Sequence, residues 1–396
     1  MVLRKCDYFL FSIFLYSTSI VDLYRQANKV IFHLSDSFVD IFRNVIYIGL
    51  FFLIVGRMIF LKRGFLFKYT TSTLVFFFVL LCSLALEYRL SNLYPDFILM
   101  YFSRLSIAFI IGYYVTDWNS FLNIYLKFIW IPLFYSMFVL FFPESFIGAS
   151  YMTVAYNILP HCVCCFAYAL MIRKRRYFLY FLILFSILFL GARGALFGCL
   201  LAIVFAMILD ENSKGKTMVR YGIYSLFLVI VIGGISSDNL IDFLSTYNLN
   251  ARTMMLFFSD EGIFNMTNRD SFYLQGLESL SNFPLLIRGY GGNIVFYKDL
   301  FGGDKGTYAH NIFLELLLDY GLIIGGILVL WFIYYVIRSF FVVLKLSQYV
   351  KIAYLSFFVC WLIPMLVSSS YTSGYHIWLS CGIIVNMVHN KSIYFK

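Results

Sequence analysis

Apolar residues in this chain run in long, nearly unbroken blocks and do not alternate with polar ones. Stretches such as 152–172 and 352–369 hold roughly 20 residues with no Asp, Glu, Lys or Arg, the length a helix needs to cross the hydrocarbon core of a bilayer. A soluble core helix is apolar along one stripe only, whereas these are apolar all round. Taking each such block as a span predicts about twelve transmembrane helices, at 7–24, 38–60, 66–86, 97–116, 121–142, 152–172, 177–192, 194–210, 219–236, 316–338, 352–369 and 371–388. Blocks 177–192 and 194–210 are short and meet at Gly191-Ala192-Arg193-Gly194, which predicts a tight hairpin with Arg193 at its tip. The first block follows Arg4 and Lys5 as a signal sequence would. Asp22 and Tyr24 stand where a cleavage site needs small residues, so it reads as an uncleaved span.

Composition agrees. Of 396 residues, 62% are hydrophobic and 13% charged, against about 45–50% and ~25% in a soluble domain. That excludes a secreted enzyme, a nucleic-acid-binding domain or a disordered chain as a reading of the whole, and predicts an all-α polytopic membrane protein. The net charge of +10 reflects basic loops facing an anionic leaflet, with no nucleic-acid partner implied. With the N-terminus in the cytoplasm, the inner connections receive Lys62-Arg63, Arg173-Lys174-Arg175-Arg176, Lys214, Lys216 and Arg220, then Arg338, Lys345 and Lys351. The outer short connections receive far fewer, and the alternation places both termini in the cytoplasm. The chain then divides into helices over 1–236, one large outer loop over 237–309, and closing helices over 310–396.

That loop is about 70 residues long, a length usually reserved for functional segments. Within it Asn268-Arg269-Asp270-Ser271 has the look of a helix start, Tyr273, Leu277 and Leu280 repeat at helical spacing, and Asn282-Phe283-Pro284 ends the run. The pattern predicts an amphipathic helix over 269–281, lying on the membrane surface or on the bundle. Arg288-Gly289-Tyr290-Gly291-Gly292-Asn293 follows as a glycine-permitted turn whose backbone N–H groups can face an anion.

Several side chains have chemistry to offer. The charge-derived topology puts Arg193, Arg269 and His310-Asn311 on the same, outer side. Each also has an ordinary reading: arginines at helix ends snorkel to lipid phosphates, and an interfacial histidine often only caps a helix. Glu315 and Asp319 sit four apart on one helix face near the start of a span, where ionisable groups tend to be paired or functional. Asp22 and Arg104, at membrane depth, fit either an ion pair or helix-end groups. Cys162, Cys164 and Cys165 beside His161 have the residue types of a metal site, but their apolar neighbours and the lack of a second ligand pair make them buried small hydrophobes. No metal site and no cofactor is expected.

The run His310-Asn311-Ile312-Phe313-Leu314-Glu315-Leu316-Leu317-Leu318-Asp319-Tyr320-Gly321 resembles the signature of the O-antigen ligase and polymerase superfamily, in which His-Asn precedes a glycine. Leu190-Gly191-Ala192-Arg193-Gly194-Ala195 is similar to its Ser-Arg-Gly stretch. Arg269 through Phe283-Pro284-Leu285-Leu286 to Gly289-Tyr290-Gly291 is similar to its Arg, helix and Pro-Leu-x-Gly-x-Gly pattern. The chain departs from the family in two places: the second glycine would fall at Ile324 but stands at Gly325, and Arg288 interrupts the Pro-to-Gly stretch.

The resemblance implies a GT-C-like helical bundle in a bacterial inner membrane. It implies a metal-independent glycosyltransferase acting on a polyprenyl-diphosphate-linked oligosaccharide at the outer, periplasmic face. Arg193, Arg269 and Arg288 would hold the departing diphosphate, because a planar guanidinium fork suits phosphate oxygens. His310 would take the acceptor proton, with Asn311 orienting it and Glu315 and Asp319 supporting. The expected activity is an O-antigen polymerase joining one lipid-linked glycan to another; a ligase transferring glycan to lipid A-core is the alternative, and a flippase-type transporter a more distant one. A chain-length regulator, a flippase and membrane lipid are the implied partners.

Overall fold

Among the described residues every element is helical, the solution a bilayer imposes because backbone groups there must be satisfied within the chain. The computed structural model describes residues 5–33, 35–61, 104–142, 151–173, 183–184, 186–187, 192–210, 269–281, 287, 289, 309–367, 370 and 374–389. The predicted spans 66–86 and 219–236, most of 177–192, Arg288 and the greater part of loop 237–309 lie outside them. Among the described residues six helices are long and apolar enough to cross a membrane: Lys5–Phe32, Ser37–Arg57, Trp118–Val139, Met152–Met171, Ile312–Val343 and Gln348–Val367; Gly194–Leu209 is a shorter apolar helix.

Helix α1 (Lys5–Ala27) runs on through a π turn at Asn28–Phe32, and α2 (Asp36–Leu61) returns beside it. Charges mark both ends of this antiparallel pair. Arg57 Nε donates to Asp7 Oδ1 at 2.8 Å at one end; at the other Arg43 Nη1 lies 3.1 Å from Asp40 and Arg25 Nη2 3.9 Å from it. Helix α2 is peripheral, with Phe38, Ile41, Val45, Phe52 and Leu53 exposed as a lipid-facing stripe. Then come α3 (Ser106–Tyr114), α4 (Trp118–Tyr125), α5 (Trp130–Phe141) and α6 (Tyr151–Met171). Every residue from Val154 to Met171 of α6 is buried, so the thiols of Cys162, Cys164 and Cys165 are core residues. His161 lies flat against Tyr16, with ring centroids 4.2 Å apart, and its Nδ1 shares a hydrogen bond with the Tyr125 hydroxyl.

Helices α7 (Arg193–Leu209), α8 (Arg269–Leu280) and α9 (Ile312–Val343) precede α10 (Gln348–Tyr354), which continues through a π turn into α11 (Cys360–Val367); α12 (Tyr375–His389) closes the described bundle. Close helix crossings are made at small residues, as in other membrane bundles. Gly112 of α3 faces Gly382 of α12 so closely that a Cβ on Gly382 would stand 3.0 Å from Tyr113 N. Asn386 Nδ2 then ties the pair by donating to the Val115 carbonyl at 2.7 Å.

Two expectations change. The span predicted at 316–338 begins earlier, at Ile312, and is two helices joined at Gly321 (φ 75°, ψ 177°). A straight helix would separate residues 316 and 325 by about 13 Å, yet a Cβ on Gly325 would touch the Leu316 carbonyl oxygen; the chain folds back sharply. Beyond the bend Ile323, Ile327, Leu330, Ile337 and Phe341 face outward as a lipid stripe, while Gly325, Leu328, Phe332 and Ser339 face the core. On α8 the inward face carries Tyr273, Gly276 and Leu280, and Leu277 is exposed with Leu274. Of the three residues that repeat at helical spacing, Tyr273 and Leu280 pack on the segment before the bend, and Leu277 does not.

Candidate active site

The bend at Gly321 ends the short helical segment that His310 precedes. The segment Ile312–Tyr320 lies against α8, where Leu280, Ala309, Leu314 and Leu318 form a small core of their own with Tyr273 and Leu317 packed on it. Ala309 is fully buried in that core, while Asn311, in extended conformation, is the N-cap of α9. Between them His310 is held half-buried at φ 54°, a left-handed backbone. Such a conformation costs a non-glycine residue about 1–3 kcal/mol and persists only where its neighbours over-determine it, which is commonest at functional sites. Here the buried Ala309 on one side and the cap on the other supply that constraint.

Asn311 caps the helix start. Its side-chain oxygen accepts hydrogen bonds from Phe313 N (2.9 Å) and Leu314 N (3.2 Å), so it is spent satisfying the orphan donors of the helix start. Glu315 and Asp319 are both buried on the same short segment. Ser370 Oγ, itself buried, donates to Glu315 Oε1. Sequence reasoning passed over Ser370; its only trace is the polar run Ser368-Ser369-Ser370 interrupting two apolar blocks.

The backbone at Asp319–Gly321 receives part of the long loop. A Cβ on Gly321 would collide with the Ile287 carbonyl, and one on Gly289 (φ 75°) would lie 2.5 Å from Gly321 N and 2.6 Å from the Asp319 carbonyl oxygen. Two glycines from distant motifs thus let two backbones touch. Residues 178–330 match a known family, O-antigen ligase.

The O-antigen ligase match contains the Arg193 helix start, α8, the Gly289–Gly321 contact and His310, and is consistent with the O-antigen polymerase and ligase superfamily. Comparison with curated proteins and with solved structures returned no match. Arg193 and Arg269 are placed by their backbones, each as the first residue of its helix; Arg193 therefore opens a helix, with Ala192 as its cap. Helix α7 runs against α10 and α11. Phe205 lies 5.6 Å from Phe340, Ser339 Oγ meets the Tyr354 hydroxyl at 3.1 Å, and Gly198 sits on the Cys360 carbonyl and Pro364. Those levels make α7 antiparallel to α11, so Arg193 starts its helix at the end of the bundle where α11 leads to Ser370 and Glu315.

More polar groups gather at this end than the sequence suggested. Asn157 Nδ2 donates to Asp22, which lies 3.9 Å from Arg25. The Tyr375 hydroxyl bonds Thr18 at 3.2 Å, and Gly374 N donates to the Ser370 carbonyl at 2.9 Å. Asp22 and Arg104 form no ion pair within 4.0 Å among the described residues; Arg104 lies instead over Tyr47 and Tyr375, 4.4 and 5.1 Å from their ring centroids.

Proposed function

We propose that this chain is an O-antigen polymerase, moving a glycan from a polyprenyl diphosphate onto a second lipid-linked repeat unit at the periplasmic face of a bacterial inner membrane. The observation that carries the reading is the joining of the motif glycines, Gly289 and Gly321, in the segment that matches O-antigen ligase and that also holds a strained His310. Negative charge on the departing diphosphate falls to Arg193, Arg269 and Arg288, whose guanidinium forks bind phosphate oxygens in pairs. His310 takes the proton from the attacking hydroxyl, a task suited to a group that titrates near neutral pH. Direct attack at the anomeric carbon forms the new C–O bond as the bond to diphosphate breaks, inverting configuration; the proton goes to the imidazole and the electron pair leaves with the diphosphate. Glu315, fixed by Ser370, supports the short helix that carries His310.

The ligase reading differs only in its acceptor, lipid A-core. The Phe- and Tyr-rich composition and the shifted second glycine favour the polymerase. Lipopolysaccharide from a deletion strain separates the two: single-repeat bands mark a polymerase and bare core a ligase. In the purified system, His310→Ala is expected to abolish chain growth, since general-base catalysis contributes ~10²–10⁴-fold. Arg193→Lys should lower activity while the protein still inserts. Long polymer made by His310→Gln would remove the base assignment.

A further inference from the structure

Arg104 has no role in the reaction just described, and its surroundings are unusual for a structural arginine. It stands half-buried at the start of the segment leading into α3, with its guanidinium over two buried rings, Tyr47 of α2 at 4.4 Å and Tyr375 of α12 at 5.1 Å. Aromatic faces hold a guanidinium in place and leave its N–H edge unspent. Among the described residues those donors meet no acceptor and no carboxylate within 4.0 Å. Asp22, the counter-charge that the sequence offered, has its carboxylate engaged by Asn157 and lies 3.9 Å from Arg25.

The adjoining residue points the same way. His376 is 6% exposed and stacked on Trp361 with centroids 4.0 Å apart, and neither ring nitrogen has a partner among the described residues. The buried Trp361 Nε1 has none either. Buried polar atoms in native proteins are nearly always satisfied, so a cluster of unsatisfied ones beside an unspent guanidinium is the mark of a site that takes a polar ligand. Hydrogen bonds join this cluster to the His310 region: Gly374 N donates to the Ser370 carbonyl, and Ser370 Oγ donates to Glu315.

We propose that Arg104, clamped by Tyr47 and Tyr375, is a further phosphate-binding residue at the His310 end of the bundle. It takes an oxygen of a phosphate ester or diphosphate carried by a membrane lipid. The proposal rests on the functional reading above and extends it: a polymerase handles two lipid-linked diphosphates at once, and the motif arginines serve only the donor.

The test is equilibrium binding of a radiolabelled polyprenyl diphosphate to the full chain in phosphatidylcholine nanodiscs, repeated with phosphatidylglycerol as competing lipid. Losing a charge-assisted hydrogen bond should weaken binding about 10- to 100-fold in Arg104→Gln, and Arg104→Lys should also weaken it because the fork is gone. Tyr47→Phe should bind as wild type and Tyr47→Leu less well, which keeps the idea testable where Arg104→Gln fails to fold. Competition by phosphatidylglycerol that vanishes in Arg104→Lys identifies a lipid headgroup as the ligand; its absence identifies the diphosphate. Wild-type affinity in both Arg104 variants overturns the proposal, and so does recovery of binding in the double variant Asp22→Asn with Arg104→Gln, which would mean that Arg104 only balances Asp22. Those results leave the polymerase reading standing. Failure of the wild-type chain to bind polyprenyl diphosphate at all overturns both.

Discussion

Gly321 is where a single methyl group should do most harm. Its φ of 75° and ψ of 177° lie in a region essentially closed to residues with a side chain, so Gly321→Ala costs roughly 1–3 kcal/mol in backbone strain. The added Cβ would also collide with the Ile287 carbonyl and stand 2.7 Å from Gly289 N, and overpacking of this kind costs about 1–3 kcal/mol more. The total, ~2–6 kcal/mol, is more than one backbone contact between a loop and a helix bend can absorb. Residues 287–289 should therefore leave the bend, or the bend itself should open. Purified protein should unfold at lower temperature, and a deletion strain carrying the variant should make little or no polymer. Gly326→Ala is the control, because among the described residues nothing lies within 4 Å of its Cβ and alanine in a helix interior gains about 0.5–1 kcal/mol over glycine. Gly289→Ala attacks the same contact from the other side, so the two changes together should cost less than their sum. Wild-type stability and polymer from Gly321→Ala, or strict additivity with Gly289→Ala, would refute the contact as the organiser of the site.

Asn311→Ala should destabilise the helix start by about 0.5–2 kcal/mol and lower activity. Asn311→Ser or Asn311→Asp should restore both if capping is its role, whereas failure of all three would return Asn311 to direct contact with His310. Ser370→Ala leaves the buried Glu315 short of a donor and should cost about 1–3 kcal/mol; Glu315→Gln still accepts from Ser370 and should be milder, an ordering that thermal unfolding of the two variants checks. Reporter fusions after Lys216 should read cytoplasmic and fusions near Asp260 periplasmic; an outward reading at 216 would overturn the charge-based orientation and the side assigned to Arg193.

What the sequence determined by itself was the class of molecule and the identity of the chemically able residues. Long apolar blocks leave helix crossing a bilayer as the only economical way to satisfy the backbone, and His310, Arg193, Arg269 and the glycines around 289 and 321 stand out because such residues are costly or pointless in a purely lipid-filling chain. The helix over Arg269–Leu280 was legible for the same reason, since its period and its stop at Asn282-Phe283-Pro284 are local properties. Tertiary structure alone decided the rest. The break at Gly321 is invisible in a run that stays apolar on both sides, because hydropathy does not record φ. That Gly289 meets Gly321, that Ser370 serves Glu315, and that Arg104 lies over Tyr47 and Tyr375 rather than against Asp22 are pairings between residues far apart in the chain. Apolar periodicity states which face of a helix turns inward; only packing determines which polar groups then find themselves side by side.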